Sequence, residues 1–164
     1  MVRQVTKECI AYLTEREGGM RLDVHDDGYG FPTVGVGHLV MDEDTLKLGD
    51  CITLERGQAL LQDDLMEARF AVSQHVKVVL TNWEFDALVC FTFNVGATAL
   101  RKSSLVRRIN AGQPKCQVAR EEMPRWNKSA GRFSRGLQNR RIDTAQMFCH
   151  GDYTVDWSGL PGQI

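Results

Sequence analysis

The stretch EREGGMRLDVHDDGYGFPTVGVGHLV, residues 15–40, changes its period part-way along, and that change decides the architecture. Just before it, Val5, Cys9, Tyr12 and Leu13 recur at i, i+4, i+7 and i+8, one face of a short helix over residues 4–16. Gly18-Gly19 stops that helix, as glycine does at helix C-termini. The period then becomes two: Leu22 and Val24, later Val34 and Val36, with Asp27-Gly28 and Gly30 between them. This reads as a small β-hairpin or a three-stranded sheet.

Further along, the helical period returns. Leu54, Leu61, Leu65, Ala68 and Val72 form one stripe, predicting a long helix around 54–75. Thr81 and Glu84 make a capping box that opens WEFDALVCFTFNVG, a segment apolar nearly all round and therefore buried. Ser103 or Ser104 caps a short helix ending at Asn110-Ala111-Gly112, and two more helices follow at about 114–123 and 134–149. The last stops near Gly151, and the tail to Ile164 shows little periodicity. The expected fold is α+β in a single domain, 1–164. A small sheet lobe (about 17–52) and a larger helical lobe (about 1–16 and 53–150) are joined by the long helix, with a 151–164 tail. A cleft between the lobes would hold the ligand.

The 164 residues are enough for one core without staples. With 20 basic and 21 acidic residues the net charge is −1, which argues against nucleic acid as the partner. An anionic substrate would need a local basic face, and residues 101–141 are rich in Arg and Lys. Cys9, Cys51, Cys90, Cys116 and Cys149 are odd in number, widely spaced and without a CxxC pair. They read as small buried hydrophobes rather than a disulfide framework or zinc site, in a chain made in a reducing compartment. The start, MVRQVTKECIAYL, lacks the apolar run of a signal peptide, and no stretch approaches a membrane span. Synthesis in the cytoplasm, with no membrane insertion, is expected.

Several chemistries compete for residues 15–40. Asp23, His25, Asp27 and Gly28 fall at positions 1, 3, 5 and 6 of a calcium loop, but Val34 stands where a bidentate Glu is required. His25, Asp26, Asp27 and His38 have no metal-ligand spacing, and His38 reads as a hydrogen-bonded structural histidine. Gly35 and Gly37 lack the rest of a phosphate loop and fit close backbone packing better. No metal and no cofactor are expected.

The remaining chemistry is glycosidic hydrolysis by two carboxyls. Glu17 lies at a helix end, where the negative dipole end disfavours a carboxylate and favours a proton donor. Asp27 lies in a solvated turn suited to an ionised carboxylate, and Thr33, six residues on, could face it across the hairpin and hold a water between hydroxyl and carboxylate. The residues alone leave this beside the plainer reading of solvated surface carboxylates.

These residues resemble the phage-type lysozymes, the family of tailed-phage endolysins and related muramidase domains. The resemblance rests on Glu17-Gly18, Arg21-Leu22, Asp27 and Thr33-Val34-Gly35-Val36-Gly37-His38. A second block is Trp83-Glu84-Phe85-Asp86-Ala87-Leu88, with Phe91-Thr92-Phe93-Asn94-Val95-Gly96 and Ser103-Ser104-Leu105. A third is Arg125-Trp126-Asn127, Gly136-Leu137 and Arg140-Arg141, and together the blocks cover about residues 5–150. The resemblance implies a lysozyme-like fold and a bacteriolytic muramidase acting on peptidoglycan glycan strands. Glu17 would be the general acid, and Asp27 with Thr33 would manage the attacking water with net inversion. Arg140 would pair with the acid, with Asn94, Trp126 and His38 as supporting residues. For Asn94 and Trp126 a plain helix-packing role is equally open.

One departure is the register. The family places its Asp nine positions after the Glu, whereas Asp27 comes ten after Glu17; Gly19 reads as the insertion, and Asp26 is the alternative carboxylate. A lytic transglycosylase and a non-catalytic wall-binding domain are the runners-up; the Asp27–Thr33 pair argues against the first, and intact Glu17, Asp27 and Thr33 against the second. The resemblance fits a monomeric endolysin. It also fits a lysozyme domain of a delivered antibacterial effector, which would bring an immunity protein as partner; either acts in the periplasm of a host or target bacterium.

Overall fold

The computed structural model describes residues 2–154. Helix α1 (Lys7–Arg16) starts at Thr6, whose hydroxyl accepts the Cys9 N–H at 3.2 Å and so satisfies one of the unpaired donors of the first turn. It leads into an antiparallel sheet of β1 (Arg21–Asp26), β2 (Pro32–Gly35) and β3 (His38–Leu39), in that spatial order. Strand alternation buries Val24 and Val34 on one face, where they pack with Leu60, Val40, Leu46 and Ile52 into a small core of their own.

The predicted long helix is two helices, α2 (Leu54–Asp64) and α3 (Met66–His75), turned at Leu65 with φ −78° and ψ −3°. The reason is that α2 serves two cores at once. Leu60 completes the sheet core, while the adjacent Leu61 belongs to the main core. Leu65, fully buried, fixes the turn, beyond which α3 packs on α4 and α5.

Helix α4 (Asn82–Val95) is the centre of the main core. Its capping box forms as expected: Glu84 N–H donates to the Thr81 hydroxyl at 3.3 Å, and Thr81 N–H to the Glu84 carboxylate at 2.8 Å. Around it lie α1, α3, α5 (Ala97–Lys102), α6 (Ser104–Asn110), α7 (Lys115–Glu122) and α8 (Arg135–His150). Ser103 rather than Ser104 caps α6, and Gly151, in the left-handed region at φ +67°, closes α8. The short helix α5 and a hairpin of β4 (Lys128–Ser129) and β5 (Arg132–Phe133) were not foreseen, being too short to carry a period.

The cysteine expectation needs correction. Cys116 on α7 and Cys149 on α8 form a disulfide with Cα atoms 4.9 Å apart, and Cys51 is exposed; Cys9 and Cys90 are buried free thiols. A spacing of 33 residues carries no local signature, so only the packing of α7 on α8 brings the pair together. With a disulfide present, the argument for a reducing compartment falls.

The start of the tail is not loose. Tyr153 packs against the main core and donates to Asp86 at 2.7 Å; the rest of the 151–164 tail beyond Thr154 lies outside the described residues. Among the described residues no helix is long and apolar enough to cross a membrane.

Candidate active site

Glu17 is the residue on which α1 ends. Its N–H reaches the Leu13 carbonyl at 2.9 Å, and the chain then leaves the helix through Gly18 and Gly19 at φ +91° and +107°. Glycine takes two successive positive φ values without strain, so the chain leaves the helix here at no steric cost. The Glu17 carboxylate, 31% exposed, accepts from Nη2 of Arg140 on α8. One residue back, Arg16 pairs with Asp143, also on α8. Two ion pairs of opposite sense therefore tie the C-terminus of α1 to one side of α8 and hold Glu17 in place.

The hairpin after α1 carries the other predicted residues. His25 pairs with Thr33 and Asp26 with Pro32 in the β1–β2 register, and Asp27 N–H to Phe31 O at 3.0 Å continues the ladder. Alternation then puts His25, Thr33 and Asp27 on one face, and Asp26 on the other with Val24 and Val34. Each carboxylate also shapes the turn. Asp26 Oδ1 accepts from Gly28 and Gly30 N–H at 2.7 and 3.1 Å, and Asp27 Oδ1 from Tyr29 and Phe31 N–H at 2.8 and 3.2 Å. Asp27 is thus held through one oxygen, with Oδ2 turned to neither of these donors. Thr33 is 9% exposed, and its hydroxyl meets Nε2 of His25 at 3.2 Å, not the Asp27 carboxylate.

Asn94 and Trp126 are brought together by a residue whose role was not foreseen, Arg141. It is 2% exposed, donates through Nη2 to Asn94 Oδ1 and through Nε to the Trp126 carbonyl at 3.0 Å, and lies 5.3 Å from the Phe91 ring centre. Phe91 meets Trp126 edge-on, with ring centres 5.7 Å apart. Burial lowers the Arg141 pKa to about 10, with the charge of Arg140 adding to the effect, so the guanidinium is still a cation at neutral pH. Asn94, Trp126, Leu137 and Arg141 line a cavity of about 420 Å³, joined at its rim by Arg125 and Lys128. A cavity of about 660 Å³ between α1 and α2 contains none of the predicted site residues.

His38 stands apart from this set. Its Nδ1 is 2.8 Å from Asp64 on α2, and its Nε2 is 3.1 Å from Asp44 in the turn after β3. Burial works against its charged form, but the hydrogen bonds and charges of Asp44 and Asp64 outweigh it and raise the pKa. It acts as a clamp between the sheet and α2, the structural reading given to it from sequence.

The family model described as "Phage lysozyme" matches residues 15–144, a span that includes every residue of this site. The chain is 35% identical to the endolysin of Salmonella phage P22 over 143 residues, covering 87% of this chain and 96% of that protein. It is 39% identical to the endolysin of Bacillus phage PZA over 119 residues, 73% of this chain, and spans only 44% of that longer relative. Among solved structures, the endolysin from Escherichia coli O157:H7 phage FAHEc1 superposes with a TM-score of 0.77 at 33% identity, over 93% of this chain and 97% of the other.

Proposed function

The chain belongs to the phage lysozyme family, and from that premise we propose that it is a peptidoglycan hydrolase of the muramidase type. It cuts the β-1,4 bond between N-acetylmuramic acid and N-acetylglucosamine. The observation that carries the reading is the placement of Asp27 and Thr33 on one face of the hairpin that directly follows Glu17.

Glu17 gives its proton to the glycosidic oxygen as the bond to the anomeric carbon breaks. Arg140, bonded to one carboxyl oxygen, leaves the other to carry that proton and stabilises the carboxylate that remains. A water between Thr33 and Asp27 adds its oxygen to the anomeric carbon and loses a proton to Asp27. One water is consumed, both sugars end in hydroxyls, and the configuration inverts. Diagonal neighbours on a hairpin sit roughly 7–8 Å apart, which leaves room for a water between their side chains.

The periplasm as the place of action is part of this proposal. The Cys116–Cys149 disulfide supports an oxidising location, since such bonds persist outside reducing compartments.

Digestion of purified sacculi, followed by mass spectrometry of the released muropeptides, tests the reaction. Reducing ends carrying one added water are expected; anhydro ends would make the chain a transglycosylase. Glu17→Gln, nearly the same size, should fold and lose about 10²–10⁴-fold in rate. A folded variant that retains most of its activity would move the acid elsewhere, with Glu15 the next candidate.

A further inference from the structure

The face of the hairpin that carries Asp27 and Thr33 holds one more polar side chain. His25 lies directly opposite Thr33 in the ladder, beside an irregularity in β1 between Arg21 and His25. Such irregularities turn a side chain away from its regular direction. The His25 ring spans two partners, with Nδ1 3.1 Å from the carbonyl oxygen of Asp23 and Nε2 3.2 Å from Thr33 Oγ1.

The contact with the Asp23 carbonyl places a proton on Nδ1, and for the neutral ring that fixes the direction of the bond to Thr33. A carbonyl oxygen can only accept, so the ring proton sits on Nδ1. In the neutral imidazole the other nitrogen is then an acceptor, and the Thr33 hydroxyl donates to Nε2. A hydroxyl has a single proton, so toward the open side of the hairpin Thr33 offers lone pairs alone.

We propose that His25 is a positioning residue for the hydrolytic water, acting by making Thr33 an obligate acceptor. The proposal rests on the reading of Asp27 and Thr33 as the pair that holds that water. With Thr33 and Asp27 both accepting, the water points one O–H at each. Its two protons are then committed to the protein, and its lone pairs are left for the anomeric carbon. Were Thr33 free to rotate, its hydroxyl could donate to the water instead and occupy the electron pair that has to attack. Preorganisation of this kind contributes to the chemical step and little to substrate binding.

The test is steady-state kinetics on soluble glycan strands, with circular dichroism to confirm folding. His25→Leu should lower kcat roughly 10- to 100-fold with KM nearly unchanged. His25→Asn keeps an N–H for the Asp23 carbonyl but stops short of Thr33, so it should fold and be similarly slow. In His25→Gln the amide oxygen reaches the place of Nε2 and should recover most of the rate. In a Thr33→Ala background, His25→Leu should cost nothing further, because no hydroxyl is left to orient. Unchanged kcat in His25→Leu and His25→Asn, with Thr33→Ala slow, would overturn this proposal and leave the Asp27–Thr33 pair standing. An undiminished loss in the Thr33→Ala background would also overturn it, since His25 would then act through the fold. A fully active Thr33→Ala would remove the reading on which the proposal rests.

Discussion

At the scale of single residues, the pair Asp26–Asp27 shows how one step along a strand changes a role. Both are exposed, both accept two backbone N–H groups in the same turn, and composition does not separate them. The ladder does, because Asp27 shares a face with Thr33 and Asp26 does not. Asparagine at either position keeps an oxygen for the turn and loses only the charge. Asp27→Asn should therefore stop hydrolysis while remaining folded, and Asp26→Asn should retain most of it, as read by clearing of permeabilised Gram-negative cells. The reverse ranking, with both variants folded, would make Asp26 the working carboxylate.

At the scale of elements, two fastenings lend themselves to measurement. The Cys116–Cys149 bridge closes a loop between α7 and α8 over 33 residues of separation, and a loop of that length stabilises by about 3–4 kcal/mol when the cross-link restricts the unfolded chain. Cys116→Ala with Cys149→Ala should lower the urea midpoint accordingly while leaving lysis at low temperature intact, because neither cysteine lines the cavity or touches Glu17. The second fastening is His38, gripped by Asp44 and Asp64, with Arg56 3.7 Å from Asp44. Its pKa is raised in the folded protein, which therefore holds the proton more tightly than the unfolded chain does. That contribution is fully present below about pH 6.5 and is lost as pH rises through the folded value. The melting temperature of His38→Asn should fall further below that of the parent at about pH 6 than at about pH 9. A gap that stays constant or widens with pH would show that the charge on His38 does not fasten β3 to α2.

At the scale of the whole molecule, a net charge of −1 conceals a strongly uneven distribution. Residues 101–141 hold twelve of the twenty Lys and Arg, against only Glu121 and Glu122. Arg125 and Lys128 from this region are exposed and line the cavity formed with Asn94, Trp126 and Arg141, and Arg132 and Arg135 are exposed as well. An anionic wall would feel this local field rather than the net charge, over a screening length of about 10 Å at 0.1 M salt. Lysis should therefore slow as NaCl rises from about 0.02 to about 0.5 M at fixed pH. A rate indifferent to salt would mean that the basic face takes no part in holding the substrate.

Much of this molecule is decided by short-range physics, and that part was legible in its sequence. The stop at Gly18-Gly19, the hairpin that follows it, the Thr81–Glu84 box and a serine cap at 103 or 104 each depend on neighbours within a few residues, although Leu22, read as alternating with Val24, is exposed. So does the face shared by Asp27 and Thr33, six residues apart in one hairpin. Arg140 as the partner of Glu17 came from family resemblance, since no local rule links residues 123 apart. The tertiary structure alone decided the rest: the turn at Leu65, the Cys116–Cys149 bond, the burial of Arg141 between Asn94 and Trp126, and the ring of His25 against Thr33. Periodicity reports which face of an element is apolar, not how many cores that element must serve, so α2–α3 read as one helix. A basic residue in a helix reads as solvated until packing surrounds it with Phe91 and Trp126. His25 left a faint signal, being as far before Tyr29 as Thr33 is after it. Its function depends on the direction of a hydrogen bond, which exists only once β1 and β2 pair in this register.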